Sequence, residues 1–543
     1  MPIVNRYTTA RTQVLLLTIT VLFAGNASRA LTSSCESLRE LKLKDTTITS
    51  ADSVAAGKLT LPGQPESPVY QNLPAFCRVT AEIKPAADSD IKIEVWLPLT
   101  GWNGKYQGQG NGGFAGMITY PGLAGAVARG YASASTDTGH TAPGTDATWA
   151  LGHQEKIIDF GYRAIHEMTL KAKAIIHAFY GDQPRKSYFA SCSNGGRQAL
   201  MEAQRFPEDY DGIVAGAPAN DWIRLLIAGV WDLQALQHDD ASYIPADRIP
   251  AIGAAVLAAC DKQDGVADGI VNNPPACRFD PAALLCKEKE PASAACLTAP
   301  QVDALKKVYA GPASAKGEQI FPGYSVGGET GPGGWPLWIS GAAPGRSFQS
   351  AFTNGFFKNM VFDNANWDFH TFNFETGIKI AEDKQAGALN ATNPDLKAFQ
   401  ARGGKLMIYH GWSDAAIPPL NAVRYYNKVL ATMGARDTTQ FVRLYMVPGM
   451  QHCAGGPGPN AFDQFGASAQ AIDPQHSIFS ALEEWVEKGT APGKIIATKY
   501  ADDRNPGKDA KMTRPLCVYP QVAKYKGTGD TNAAENFECA ESK

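Results

Sequence analysis

Two cysteines flank the residues on which a nucleophilic site in this chain would turn. Ser193 lies in Ser191-Cys192-Ser193-Asn194-Gly195-Gly196, and His452 lies in Gly449-Met450-Gln451-His452-Cys453. A Cys192–Cys453 disulfide would bind these two loops across roughly 260 residues of chain, and such a bond needs Cα atoms within about 7 Å. Any fold that allows the bond must first bring the loops together. A serine nucleophile needs the same closeness, because its base nitrogen has to reach the serine oxygen.

The local pattern around both loops is one of alternating strands and helices. Ile91–Leu99 (IKIEVWLPL) is rich in β-formers and predicts a strand, as do Lys105–Gln109 and Tyr131–Ser135. Ile157–Tyr180 carries apolar residues at helical spacing. Lys186–Ala190 predicts a short strand running into Ser193, and Gly195–Arg205 the helix behind it. Strand signals return at Gly212–Ala215 (GIVA), Lys405–Tyr409 (KLMIY) and Phe441–Val447 (FVRLYMV). This alternation predicts an α/β fold with a mostly parallel sheet.

A serine on a tight strand-to-helix turn is usually written Gly-x-Ser-x-Gly, because small neighbours let the strained backbone pass. Here Ser191 replaces the first glycine and Gly195 keeps the second. Asp414 follows KLMIY through His410-Gly411-Trp412-Ser413, and His452 follows FVRLYMV through Pro448-Gly449-Met450-Gln451. Ser, Asp, His in that chain order, each past a strand, is the order of an α/β-hydrolase triad. Ser193 is therefore the expected nucleophile, His452 the base and Asp414 the acid that orients it. The backbone N–H of Asn194 is one expected oxyanion donor. The other is expected from the glycine-rich stretch Gly108–Gly116, at Gly113 in preference to Gly112. His410, four residues before Asp414, either lines the pocket or holds the acid loop.

At 543 residues the chain exceeds one minimal domain, and the stretch between the two sheet-forming parts differs in character. It holds four cysteines, an Asp/Gly-rich loop, Gly-Pro clusters and several tryptophans. The expected organisation is a signal segment over 1–30, a core over 31–220, an inserted lid over 221–400 and the rest of the core over 401–543. The signal rests on Arg6 and Arg11, the apolar run Val14–Ala24 and the small residues of Gly25–Ala30. That run is too short for a membrane span, and no later segment is apolar enough for one. A net charge of -3 offers no basic excess for a nucleic-acid partner. The expected location is secreted or periplasmic. Ten cysteines suit an oxidising compartment, although spacing alone does not fix their pairing. The expected set is Cys35–Cys77, Cys192–Cys453, Cys260–Cys277, Cys286–Cys296 and Cys517–Cys539. No Cys-x-x-Cys occurs, which argues against a zinc site.

Within the lid, Asp261-Lys262-Gln263-Asp264-Gly265-Val266-Ala267-Asp268-Gly269-Ile270 places three carboxylates among turn-forming glycines. Oxygen-rich loops of this kind suit a hard cation. A structural Ca2+ is expected here, held by Asp261, Asp264 and Asp268 with the carbonyls of Val266 and Ile270. The alternating Asp pattern and terminal Glu of an EF-hand are missing, and a solvated acidic turn is the plainer alternative.

Several of these segments together resemble the tannase/feruloyl esterase family, which also includes mono(hydroxyethyl) terephthalate hydrolase. The resemblance rests on Cys192–Arg197, Tyr409–Ala416 (YHGWSDAA), Val447–Gly458 (VPGMQHCAGGPG), Asp261–Ile270 and the tail Thr513–Asp530. It implies an α/β-hydrolase core with a lid, a calcium ion in that lid, the Cys192–Cys453 bond and cleavage of esters of aromatic acids. The expected substrate is a small aromatic ester, free or carried on a plant polysaccharide or polyphenol. Trp335, Trp338, Phe352, Phe356, Phe357 and Trp367 are the lid aromatics available for a slot. Terephthalate hydrolases hold their substrate's free carboxylate with a lid arginine, and Ser347–Phe362 contains none, although Lys358 is present. Ferulate-type esters are therefore the first expectation, with gallate and terephthalate esters behind them. Two rivals remain: a calcium-stabilised binding module with a decayed site, and an exported peptidase using the same triad.

Overall fold

The computed structural model describes residues 1–2, 33–61, 68–287, 294–468, 472–503 and 507–542. The expected signal segment, apart from residues 1–2, lies outside the described residues. Nine strands form one sheet: β1 Thr46–Val54, β2 Phe76–Ile83, β3 Ile91–Pro98, β4 Lys105–Gln109, β5 Ala132–Thr136, β6 Lys186–Cys192, β7 Gly212–Gly216, β8 Lys405–Gly411 and β9 Val442–Val447. Their order is β1-β2-β3-β5-β4-β6-β7-β8-β9. The first three pairings are antiparallel, and every pairing from β5 to β9 is parallel.

Burial explains which strands are obvious in the sequence. β7 is buried along its whole length and β8 almost so, hence their unbroken apolar runs. β1 has only Ala51 buried and reads TTITSADSV, a polar edge strand with no strong signal. The predicted helix Ile157–Tyr180 is in fact broken. A helix over Gln154–Ile158 passes through a wide π-type turn, Asp159–Arg163, into the helix Ala164–Tyr180. The carbonyls of Phe160 and Gly161 in that turn accept from the buried Arg197 guanidinium at 3.0 and 2.6 Å. The local irregularity thus supplies acceptors to a side chain on the helix Asn194–Arg205.

Among the described residues no strand of the sheet occurs between β7 and β8, and the interval contains the whole stretch expected as a lid. Its helices include Trp222–Leu236, Ile249–Cys260, Ala299–Ala310 and Phe348–Phe356. One apolar cluster joins this insertion to the sheet side, with Phe114 and Phe160 packed among Trp222, Phe356 and Phe357. At the C-terminus β10 Lys494–Tyr500 pairs with β11 Ala510–Cys517, and β12 Gln521–Tyr525 with β13 Phe537–Glu541. All five expected disulfides are present, leaving no cysteine free. Among the described residues no helix is long and apolar enough to cross a membrane.

Candidate active site

Ser193 follows β6 directly and opens the helix Asn194–Arg205 with φ +67° and ψ −124°. An L-residue holds such a backbone only where its surroundings enforce it. Here the Ser193 N–H donates to Gly216 O at 3.0 Å, while its carbonyl accepts from Arg197 and Ala219 at 3.0 and 3.1 Å. The departure from the double-glycine pattern has a steric explanation. A Cβ on Gly195 would lie 2.6 Å from the Cβ of Ser191 and 3.3 Å from Asn111 O. Ser191 fills the space that a side chain at 195 would need, so the second glycine is required once the first has become serine.

The three residues expected as a triad converge. His452 Nε2 lies 2.9 Å from Ser193 Oγ, and His452 Nδ1 lies 2.8 Å from Asp414 Oδ2. A carboxylate only accepts, so Nδ1 carries the proton and Nε2 is left to accept from the serine hydroxyl. Asp414 is fully enclosed. Its Oδ1 accepts from the N–H groups of Ala416 and Ile417 at 2.8 and 2.9 Å, and its Oδ2 also accepts from His410 Nε2 at 3.1 Å. Burial by itself would raise the Asp414 carboxyl, but the facing His452 and His410 outweigh it and hold the group far below the usual range. His410 is thus a holder of the acid loop: its Nε2 also reaches Ile417 O at 3.1 Å, and it is absent from the cavity wall. Cys192–Cys453 ties the serine and histidine loops one residue from each side chain.

The glycine-rich loop stands where the second oxyanion donor was expected. Gly112 and Gly113 line the same cavity as Ser193 and Asn194. Gly113 has φ +57°, and a Cβ there would come within 2.9 Å of the Gly144 carbonyl carbon, so the turn requires glycine. Asn194 opens the helix, which leaves its backbone N–H without an internal partner. Its side chain is turned away, with Oδ1 accepting from Arg197 Nε and Nη2 at 2.9 and 2.7 Å. Two residues absent from the sequence reading fix the loop to the helix. Gln198 accepts from Asn111 N at 3.1 Å and donates to Asn111 Oδ1 at 2.8 Å.

Ser193 opens on a cavity of about 430 Å³ between sheet and insertion. Of the six lid aromatics considered, Trp338 and Phe352 line it, whereas Trp335, Phe356, Phe357 and Trp367 are buried in clusters behind it. Trp338 meets His452 edge-on, with centroids 5.3 Å apart. Trp222, Leu225, Leu226 and Phe465 complete the apolar wall and were not singled out from sequence. Among the described residues the wall carries no Lys, Arg, Asp or Glu, and Lys358 is not part of it.

The acidic loop is only partly assembled as a cation site. Asp264, Asp268 and Ile270 border a small void of about 10 Å³. Burial, reinforced by Asp268, pushes the Asp264 carboxyl up to about 6. Two crowded carboxylates beside a backbone segment suit a hard cation. Asp261 does not join them with both oxygens, since its Oδ1 accepts from the N–H groups of Asp268, Gly269 and Ile270 at 3.0–3.3 Å. Arg514 Nη2 pairs with Asp268 Oδ2 at 2.7 Å, and Val266 packs its side chain with Cys517, Ala523 and Phe537.

The sheet, the strand-to-helix serine and the loops that end β8 and β9 place the chain among the α/β-hydrolases. Comparison with known proteins makes it a carboxylic ester hydrolase. An uncharacterised esterase of Xanthomonas campestris pv. campestris is 44% identical over 98% of this chain and 95% of its own length. Mono(2-hydroxyethyl) terephthalate hydrolase of Piscinibacter sakaiensis is 34% identical, covering 86% of this chain and 85% of that protein. The crystal structure of feruloyl esterase B from Aspergillus oryzae superposes with a TM-score of 0.85 at 31% identity, covering 93% of this chain and 99% of that one. The family model described as tannase and feruloyl esterase matches residues 77–540, and the chain belongs to that family.

Proposed function

We propose that this protein is an exported serine esterase that hydrolyses esters of hydroxycinnamic or related phenolic acids, a feruloyl esterase in the first instance. The observation that carries the reading is the Ser193–His452–Asp414 relay, at 2.9 and 2.8 Å, opening on an aromatic cavity without a charged wall. In this mechanism His452 Nε2 takes the Ser193 proton as Oγ attacks the ester carbonyl. The oxyanion sits between the backbone N–H groups of Asn194 and Gly113. Collapse of the intermediate expels the alcohol, which takes its proton from His452, and leaves an acyl-serine. Water activated by the same histidine then releases the acid. Asp414 stays ionised throughout, orienting the imidazole and stabilising its charged form.

The uncharged wall favours a neutral phenolic ring over a ring bearing a free carboxylate, which would enter without a cation to meet it. The insertion over 221–400 acts as the lid of this cavity. Ca2+ bound by Asp264, Asp268 and the Ile270 carbonyl, with the second oxygen of Asp261 and the Val266 carbonyl, would brace the lid against the C-terminal hairpins. Its contribution is structural. Five disulfides and the basic-apolar start of the chain support export.

The test is hydrolysis of methyl ferulate, methyl gallate and mono(hydroxyethyl) terephthalate side by side, with Ser193→Ala as control. Ferulate preference abolished by the substitution is the expected result. Preference for gallate or terephthalate moves the substrate and keeps the mechanism. Absence of Ser193-dependent cleavage, together with no labelling of Ser193 by a fluorophosphonate, overturns the esterase reading.

A further inference from the structure

The loop that leaves β5 has no part in the Ser193–His452–Asp414 relay, yet it closes on the glycine turn beside Ser193. β4 and β5 are parallel neighbours, so the chain leaves both at the same edge of the sheet. β4 leads into the turn Gly112–Ala115, and β5 into Asp137-Thr138-Gly139-His140. The turn is closed by Ala115 N–H donating to Gly112 O at 2.9 Å. The two loops are joined by backbone bonds, from Phe114 N to Gly144 O at 2.7 Å and from Gly116 N to Asp137 O at 3.1 Å. One side chain completes the junction. His140 Nε2 lies 2.8 Å from the carbonyl oxygen of the fully buried Phe114. A carbonyl only accepts, so Nε2 carries the proton. Among the described residues no other group donates to Phe114 O.

A strained backbone delivers His140 to this place. Thr138 has φ +64°, which a β-branched residue holds only where its surroundings enforce it. Asp137 Oδ1 supplies part of that force, accepting from the N–H groups of Gly139 and Lys92, both at 2.9 Å. Lys156 Nζ holds the same loop by donating to Gly139 O at 3.1 Å. On the other side of the His140–Phe114 bond, Ala115 has φ +60°. The imidazole ring is itself clamped, stacked on Trp149 with centroids 3.7 Å apart and planes 15° from parallel. Burial holds its pKa down to about 4, so the ring is neutral and its single N–H serves Phe114 O.

We propose that His140 is a positioning residue for ester hydrolysis, holding the turn Gly112–Ala115 so that the Gly113 N–H meets the oxyanion. This deepens the esterase reading and rests on it, since that reading makes the Gly113 N–H an oxyanion donor. Gly112 and Gly113 have no side chains by which to be held, so their placement depends on the residues at either end. Gln198 fixes Asn111 at the entrance, and His140 fixes Phe114 at the exit. His140 does not line the cavity, so its effect belongs to the transition state and not to substrate binding.

Two substitutions separate the donor from the ring. His140→Phe keeps a ring against Trp149 and deletes the N–H, whereas His140→Gln keeps an N–H near the Nε2 position and deletes the ring. With p-nitrophenyl butyrate, His140→Phe is expected to lower kcat roughly ten- to hundredfold while KM stays within about threefold. Affinity for benzyl trifluoromethyl ketone, whose adduct with Ser193 carries an oxyanion, should fall in parallel with kcat. His140→Gln should keep kcat within about threefold of the native value. A merely structural role predicts the reverse, with the ring-preserving variant active and the ring-deleting one impaired. Native kcat in His140→Phe, a change confined to KM, or equal losses in the two variants overturns the proposal. Circular dichroism checks folding, and His140→Leu replaces His140→Phe under the same criteria if the latter does not fold. A native protein that cleaves no ester overturns the esterase reading, whereas native cleavage with a silent His140→Phe overturns this proposal alone.

Discussion

If Ser191 occupies the space that Gly195 must leave free, the two positions are energetically coupled, and the coupling is measurable. In Gly195→Ala the new methyl would stand 2.6 Å from Ser191 Cβ, far inside the contact distance of about 3.5–4.0 Å. The clash is with Cβ as well as Oγ, so a change of Ser191 rotamer does not relieve it. The backbone must shift, at a cost of about 2–3 kcal/mol for an overpacked site. The shift moves the turn that carries Ser193, and a displacement near 1 Å in a catalytic group costs about a hundredfold in rate. Ser191→Gly alone restores the double-glycine pattern and should leave kcat/KM and stability close to those of the native protein. Combined with Gly195→Ala it removes the two nearest clashing atoms and leaves the 3.3 Å approach to Asn111 O. The double variant should then recover at least about 1 kcal/mol of the lost stability and most of the lost rate. Urea unfolding and hydrolysis of p-nitrophenyl butyrate across the four proteins give both numbers. The reasoning is refuted if Gly195→Ala matches the native protein, or if Ser191→Gly restores nothing to it.

Replacing Cys192 and Cys453 together with alanine opens a loop whose ends are 261 residues apart, worth on the order of 5–6 kcal/mol in the chain-entropy limit. Melting temperature and kcat should both fall, and a double variant with native kcat would disprove a positioning role for the bond. His140 has its pKa held down to about 4, first by burial and then by Lys156, against about 6.5 in an unfolded chain. The unfolded state therefore takes up its proton first, so about 3 kcal/mol of stability present above pH 6.5 is lost on going down to pH 4. Urea midpoints at pH 7.5 and 4.5 should differ less in His140→Gln than in the native protein. Asp137, raised to about 7 by burial, pulls in the opposite direction, and comparison with the variant cancels it. For the acidic loop, EDTA should lower the stability and added Ca2+ restore it, by about 2.7 kcal/mol at a hundred times the dissociation constant, read from urea unfolding. Asp264→Asn should abolish the response while the fluorophosphonate still labels Ser193.

The meeting of Ser193, Asp414 and His452 was legible because these residues are pinned to the ends of buried parallel strands. Strands such as GIVAG and KLMIYHG declare themselves as apolar runs, and a residue shortly after one is carried to the same edge of the sheet as its counterparts. Chain order then becomes spatial order, which is why the sequence alone places Ser193, Asp414 and His452 together. The pocket obeys no such rule. Trp338 and Trp335 stand three residues apart on one short helix, yet one lines the cavity and the other is buried in a cluster with Tyr309 and Tyr324. Which of them faces the cavity depends on how the insertion packs, and that is set by contacts distant in sequence. The π-type turn at Asp159–Arg163 shows the limit from the other side. Its apolar spacing reads as continuous helix, and the carbonyls it offers to Arg197 matter only because that guanidinium is buried with no carboxylate among its hydrogen-bond partners. Local pattern determines where a strand or helix carries a residue, whereas the balance of satisfied and unsatisfied polar groups is settled only when the layers close. In this protein the meeting of Ser193, Asp414 and His452 belongs to the first kind of information and the lining of the cavity to the second.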